Sequence, residues 1–308
     1  MKKLLFVYNM LSGKGMINVH LAEIIDIFTA GGYDVTAHPT QSKDDCYNIV
    51  KERASRYDLV VCSGGDGTMN ETLSGIMDGG HHVPVGYIPA GTMNDFASSL
   101  GIPKSMPDAA RMIMKGRPRF VDVGAFNDKY FTYVAAFGVF TRVSYSTDQQ
   151  MKNLLGPAAY MIDAIKEAAQ NFDLSKSYRV TIKCSGETIT DDFLFGMVAN
   201  SLSVGGIKEL AGNDVSMNDN LFEGIFIRKP NSRVELNRTL NALIRKDFSA
   251  PCFCYFRSSN FTVLSDGNVP WTIDGEYGGK ADNISICPLH NALEIMLGKD
   301  APGLKNNA

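Results

Sequence analysis

The residues best suited to chemistry sit where strand patterns hand over to helix patterns. The first such stretch is Gly64-Gly65-Asp66-Gly67-Thr68-Met69-Asn70-Glu71, directly after the apolar run Leu59–Cys62. Glycine has no Cβ, so the backbone can pass close to a bulky anion. The N–H groups of the loop and of the following helix start can then bind phosphate oxygens. Thr68 and Asn70 add short polar side chains. Asp66 and Glu71 would repel a bare phosphate; they make sense if Mg²⁺ lies between them, or if one carboxylate handles a proton. A Walker loop is absent. The plain alternative is a tight turn with solvated charges.

A second stretch, Pro89-Ala90-Gly91-Thr92-Met93-Asn94-Asp95-Phe96, again lies between a strand and a helix pattern. Gly91, Thr92 and Asn94 are its candidate ligands, and its plain reading is a helix cap by Thr92 or Asn94. A third, Asn9 to Gly15, follows the first strand; Asn9 and Ser12 can hydrogen-bond a nucleotide, Gly13 permits the turn, and Lys14 can neutralise phosphate. In a parallel sheet, loops at the carboxyl ends of strands share one edge, where ligands bind. A fourth stretch lies about 200 residues further on: Asp274-Gly275-Glu276, just after Trp271, the only tryptophan. One of its carboxylates could accept a proton from a hydroxyl. Its plain reading is an Asp-Gly hairpin turn.

The elements that must position these loops divide the chain in two. Up to residue 120, strand and helix patterns alternate: strands at Leu4–Tyr8, Asp34–Pro39, Leu59–Cys62 and Val83–Ile88, helices at Val19–Ala30, Asp44–Arg56, Thr68–Met77 and Asn94–Leu100. Such alternation predicts an α/β domain with a parallel sheet and helices on both faces. From 121 to 290 the pattern is mainly antiparallel β, rich in aromatic and β-branched residues, with helices expected at Ala158–Phe172 and Val234–Lys246. The segment 291–308, through Ala292–Leu297, is expected to return to the first domain.

Composition excludes several classes. The net charge of −3 leaves no basic footprint for nucleic acid. No apolar run reaches the ~18 residues of a membrane-spanning helix. The Leu4–Tyr8 run is shorter than the ~7–15 residues of a signal-peptide core, so an intracellular protein is expected. The six cysteines include no CxxC pair and read as free thiols.

GGDGTMNE, the PAGTMNDFA stretch and the late DGE together resemble the diacylglycerol kinase catalytic family, which includes bacterial soluble lipid kinases and is related to sphingosine and ceramide kinases. GGDGT alone is shared with NAD kinases; the GTxNDF element and the DGE narrow the likeness, which runs in order along essentially the whole chain. The resemblance implies an N-terminal α/β nucleotide domain and a C-terminal β-sandwich that takes the lipid. ATP would be held by Asn9 to Gly13, Thr40, Gly64 to Asn70 and Thr92. Glu276 ranks first as proton acceptor, Asp66 second and Asp274 third. A structural Mg²⁺ would use the Asp219 carboxylate with the carbonyls of Ser216 and Leu221, although Asn220 replaces the usual glycine and Asn218 a frequent aspartate. Met10 stands where proline is usual, and Ser98 where arginine is.

The expected activity is therefore phosphoryl transfer from ATP, with Mg²⁺, to a hydroxyl of diacylglycerol or a related lipid. The protein would be cytoplasmic, touching the inner face of the membrane peripherally, with a homodimer left open. A metabolite kinase of the NAD kinase type and a non-catalytic nucleotide- or lipid-binding regulator are the alternatives. Aromatic residues of Phe131–Phe140 and Phe193–Met197 are expected to be mostly core rather than an acyl-chain cleft.

Overall fold

The computed structural model describes residues 1–138, 177–205, 207–208 and 215–304; the helix expected at Ala158–Phe172 lies outside them. In chain order the elements of the first part are β1 (Lys2–Tyr8), α1 (Ile17–Ala30), β2 (Tyr33–Pro39), α2 (Asp45–Arg53), β3 (Leu59–Gly64), α3 (Asp66–Asp78), β4 (Val85–Pro89), α4 (Asp95–Ser99), α5 (Met106–Lys115) and β5 (Arg117–Phe126). Then follow β6 (Lys129–Phe131), β7 (Val134–Gly138), β8 (Tyr178–Cys184), β9 (Glu187–Ala199), β10 (Ser203–Val204), β11 (Ile207–Lys208), β12 (Phe222–Arg228), α6 (Arg233–Ile244), β13 (Phe253–Ser258), β14 (Phe261–Ile273) and β15 (Glu276–Leu297). Two compact units result. The first is Met1–Val123 with Met217–Asp219 and Leu289–Ala308; the second is Gly124–Ser216 with Asn220–Pro288.

In the first unit β1 pairs in parallel with β2 and with β3, and β3 with β4. The end of β15 joins beside β4 in parallel, Ile295 opposite Val85. Leu4 to Val7 and Val60 to Cys62 are fully buried, as continuous apolar runs of this kind require when covered on both faces. The helices pack in couples, α1 with α5 and α2 with α3. Gly75 of α3 permits the second couple: a Cβ there would lie 2.8 Å from the Tyr47 carbonyl oxygen and 2.9 Å from Val50 Cβ. Helix α5 is not among the helices expected from the sequence. Its start is nonetheless signalled by Ser105, whose hydroxyl accepts from the Asp108 N–H, and by a proline in its first turn.

The second unit is antiparallel, so the molecule combines an α/β part with extensive antiparallel sheet. Strands β12, β9, β7 and β14 are successive neighbours, β13 lies against β12, and β8 pairs with both β9 and β14. Alternation sends side chains to opposite faces. From β12, Phe222 and Phe226 enter an aromatic core with Phe131, Phe137, Phe193, Phe261 and Trp271. Ile225 and Ile227 turn the other way and pack with Leu236, Leu240 and Leu243 of α6. Phe131, Phe137 and Phe193 are thus core residues. Strand β15 was legible only at its end, because Gly278, Gly279, Pro288 and Asn291 interrupt its pattern.

Trp271 anchors the aromatic core: it is 1% exposed, and its ring centroid lies 4.8 Å from that of Phe137 and 5.2 Å from that of Phe126. Trp271→Ala is expected to destabilise the second unit by about 3–5 kcal/mol, read as a lower denaturant midpoint for loss of near-ultraviolet circular dichroism, while Trp271→Phe loses less.

Candidate active site

Strand register brings the sequence-predicted loops of the first unit to one edge. Tyr8 lies opposite both Pro39 and Ser63, and Gly64 opposite Pro89, so β1 to β4 end level with one another. The loops then close on one another through backbone. Asn9 N–H donates to the Ser63 carbonyl at 2.9 Å, Thr40 N–H to Tyr8 at 2.9 Å, and Ala90 N–H to Gly64 at 2.7 Å. A Cβ on Gly91 would lie 2.7 Å from the Cα of Gly65, and one on Gly13 would lie 2.4 Å from the Ala90 carbonyl oxygen. Gly13 also has φ +58°, a left-handed conformation that favours glycine. Three loops therefore touch where side chains do not fit.

Side chains hold this arrangement. Asn94, at φ +53°, accepts from the Gly91 N–H and donates to the Gly91 carbonyl, both at 2.8 Å. The Tyr87 hydroxyl donates to the Gly64 carbonyl at 3.2 Å and reaches Asn94 Oδ1 at 3.4 Å. Asn94 thus shapes the loop: it stands at the start of α4, but its side chain makes no cap bond to that helix and turns back to Gly91 instead, and Tyr87 joins it from a position read only as strand. Asn9 Oδ1 accepts from the Leu11 N–H at 2.9 Å, starting the turn Ser12–Gly15 that carries Ser12 and Lys14. Thr68 folds back over Gly64, where a Cβ would lie 2.2 Å from its Oγ1. Gly67, Thr68 and Asn70 fall in the first turns of α3, whose leading N–H groups lack partners within the helix and carry its positive end. Thr92 is exposed between the two elements.

The carboxylates differ in employment. Asp66 Oδ2 accepts from the N–H of Asp95, at the start of α4, at 3.3 Å. Glu71 Oε1 accepts from the N–H of Asp44 at 3.2 Å, tying α3 to the turn after Thr40. Burial holds the Glu71 carboxyl above its ordinary range. In the second unit, Asp274 and Gly275 form the two-residue turn between β14 and β15, with Ile273 registered against Glu276. Asp274 is 4% exposed and its carboxylate is fully engaged with Thr132, Tyr133 and Val134; Glu276 is exposed.

Of the residues expected at a metal, Asp219 falls with the first unit, and Ser216 and Leu221 with the second. Asn220 has φ +62°, so it adopts the left-handed turn that the missing glycine would have supplied. Asp122 had no part in the sequence reading beyond being strand. It is 1% exposed and accepts from the N–H of Asn291 at 2.8 Å, with His290 Nδ1 also at 2.8 Å. Its own N–H donates to the Met217 carbonyl. An acidic residue inside an apolar strand was the available signal. All six cysteines are free, and burial pushes the Cys62 thiol up to about 12.

The Glu71 environment has a consequence for stability. Its folded carboxyl is raised, so the unstrained protonated state is available below the ordinary carboxylate range, and stability is lost as pH rises through the raised value. Thermal unfolding of the wild type and of Glu71→Gln from about pH 4 to about pH 8 is expected to coincide at the acid end, with the variant the more stable at neutral pH.

Residues 3–126 match the model of the diacylglycerol kinase catalytic domain. The chain is 31% identical over 302 residues to a diacylglycerol kinase of Bacillus subtilis, covering 97% of this chain and 98% of that one. It is 30% identical to a diacylglycerol kinase of Staphylococcus carnosus over the same length, 97% and 96% of the two chains. A crystal structure of a diacylglycerol kinase from Bacillus anthracis shares the fold, with a TM-score of 0.81 at 22% identity over 97% of each chain. Identity at this level across nearly the whole of both chains, with the glycine loops inside the matched domain, places the chain in the diacylglycerol kinase family.

Proposed function

We propose that the chain is an ATP-dependent lipid kinase, transferring the γ-phosphoryl group to a hydroxyl of diacylglycerol or a related lipid. The observation that carries this reading is the backbone contact of the glycine loops, Gly13 on Ala90 and Gly65 on Gly91, at the level ends of parallel strands. A surface made of backbone and flanked by a helix start suits the phosphates of a nucleotide. In this reading the first unit, its parallel sheet covered by helices on both faces, holds ATP. Asn9, Ser12, Gly13, Lys14 and Thr40 line one side, Gly64 to Asn70 cradle the phosphates, and Gly91, Thr92 and Asn94 close the other. The antiparallel second unit, as a β-sandwich, takes the lipid.

Asp66 and Glu71 would hold the Mg²⁺ that accompanies the nucleotide, which neutralises charge on the phosphate oxygens. Two carboxylates in a stretch otherwise suited to phosphate, where like charges would repel, support that assignment. Asp219 would supply the carboxylate of the expected structural Mg²⁺; a hard oxygen donor suits that ion, and Asn220 keeps the left-handed turn beside it. Catalysis is then mostly positioning and electrostatics. Glu276 is the group assigned to receive the acceptor's proton, with Asp66 next in rank. Among the described residues no helix is long and apolar enough to cross a membrane. In this reading the enzyme is cytoplasmic and meets its lipid peripherally at the inner membrane face.

Transfer of labelled phosphate from ATP to diacylglycerol, phosphatidylglycerol, a sphingoid base and undecaprenol in mixed micelles tests the proposal. Glu276→Gln and Asp66→Asn are each expected to lower kcat by about a hundredfold or more. Full activity in both would remove the assignment, and phosphorylation of NAD with none of any lipid would replace the reading altogether.

A further inference from the structure

We infer that Asp274 is a positioning residue whose carboxylate is the strut that fixes the hairpin end carrying Glu276, and that it takes no proton itself. This rests on the reading of Glu276 as the proton acceptor. The two acids sit two residues apart but in opposite circumstances: Asp274 is 4% exposed, whereas Glu276 is exposed.

The strut is built from four donors. Asp274 Oδ2 accepts from the Thr132 N–H at 2.7 Å and from the Thr132 hydroxyl at 2.8 Å. Oδ1 accepts from the Tyr133 N–H at 3.0 Å and the Val134 N–H at 3.1 Å. An ionised carboxylate offers about four lone-pair sites, so all are in use. A proton arriving at Asp274 would displace one of these donors and leave it buried without a partner, which is costly. Proton acceptance therefore belongs to the neighbour that is open to solvent.

The same bonds determine where that neighbour points. Asp274 N–H donates back to the Val134 carbonyl at 2.9 Å, and β14 then runs antiparallel to β7, with Ile273 opposite Ala135. The turn itself has φ +48° at Asp274 and +80° at Gly275. Two positive φ values suit a tight hairpin whose twist matches its strands. They are unfavourable for a residue with a Cβ unless something holds it there, and the four side-chain bonds do so. The strut also draws in Tyr133, whose hydroxyl lies 3.4 Å from where a Cβ on Gly275 would stand, and whose carbonyl accepts from the Asn200 N–H at the end of β9. The link between β6 and β7, the end of β9 and the turn before Glu276 are thereby tied to one side chain.

Three variants test this with kinetics and amide hydrogen exchange. Asp274→Asn retains one acceptor oxygen and is expected to lower kcat for lipid phosphorylation about ten- to a hundredfold. The KM for ATP and the inflection of the pH–rate profile stay in place, and exchange at residues 132–134 quickens. Thr132→Val, which removes only the hydroxyl donor, is expected to move kcat and exchange the same way by severalfold. Glu276→Gln is expected to lower kcat by about a hundredfold or more and to remove the inflection from the residual pH–rate profile, while exchange at 132–134 stays at the wild-type rate. Loss of the inflection in Asp274→Asn, with Thr132→Val fully active, would make Asp274 the proton acceptor and overturn the inference. Wild-type kcat in Asp274→Asn would overturn it too. Exchange does not depend on turnover: wild-type protection at 132–134 in Asp274→Asn refutes the strut even if the chain phosphorylates no lipid, an outcome that would by itself sink only the kinase reading.

Discussion

The first unit depends on one constraint, the closure of three loops through their backbones at the level ends of four parallel strands. Gly13 lies on Ala90 and Gly91 on Gly65, at distances no side chain tolerates. Polypeptide packed this closely turns main-chain N–H groups, rather than side chains, into the lining of a site. The parallel register makes closure feasible, since Tyr8, Pro39, Ser63 and Pro89 end in line. The polar residues of these loops then divide their labour. Asn94 and Tyr87 shape backbone, and Glu71 pins the turn after Thr40 to α3.

The second unit solves a different problem. Its strands alternate, sending one set of side chains to an aromatic core and the other beneath α6. A core of this kind leaves functional polarity to strand ends. Asp274 sits at such an end, where the link from β6 into β7 would otherwise leave the successive N–H groups of residues 132–134 buried without acceptors. Its carboxylate answers all of them, and the exposed Glu276 follows two residues on.

Burial sorts the remaining reactive groups in the same way. Cys62 is fully covered and its thiol is pushed far from ionisation, which makes it packing rather than chemistry. Asp122, buried as deeply, serves as an acceptor for the bend at Asn291 and as a neighbour to Met217. Chemical type by itself says little about such residues; employment by neighbours decides.

Much of this was legible in the amino-acid sequence alone. Continuous apolar runs marked the buried strands β1, β3 and β4, alternation marked the antiparallel strands of the second unit, and the glycine loops announced themselves by position between the two kinds of pattern. Periodicity and backbone freedom are local properties, and a sequence carries local properties directly. What only the tertiary structure decided was non-local. Most of β15 forms because other elements receive it, despite an interrupted pattern, whereas α5 carries its own local signals, a Ser105 cap and buried Met106, Ala109, Ala110 and Ile113 at helical spacing. The roles of Asn94, Tyr87, Asp122 and above all Asp274 depend on donors and acceptors, several of them more than a hundred residues away, which no reading of spacing along the chain can bring into view.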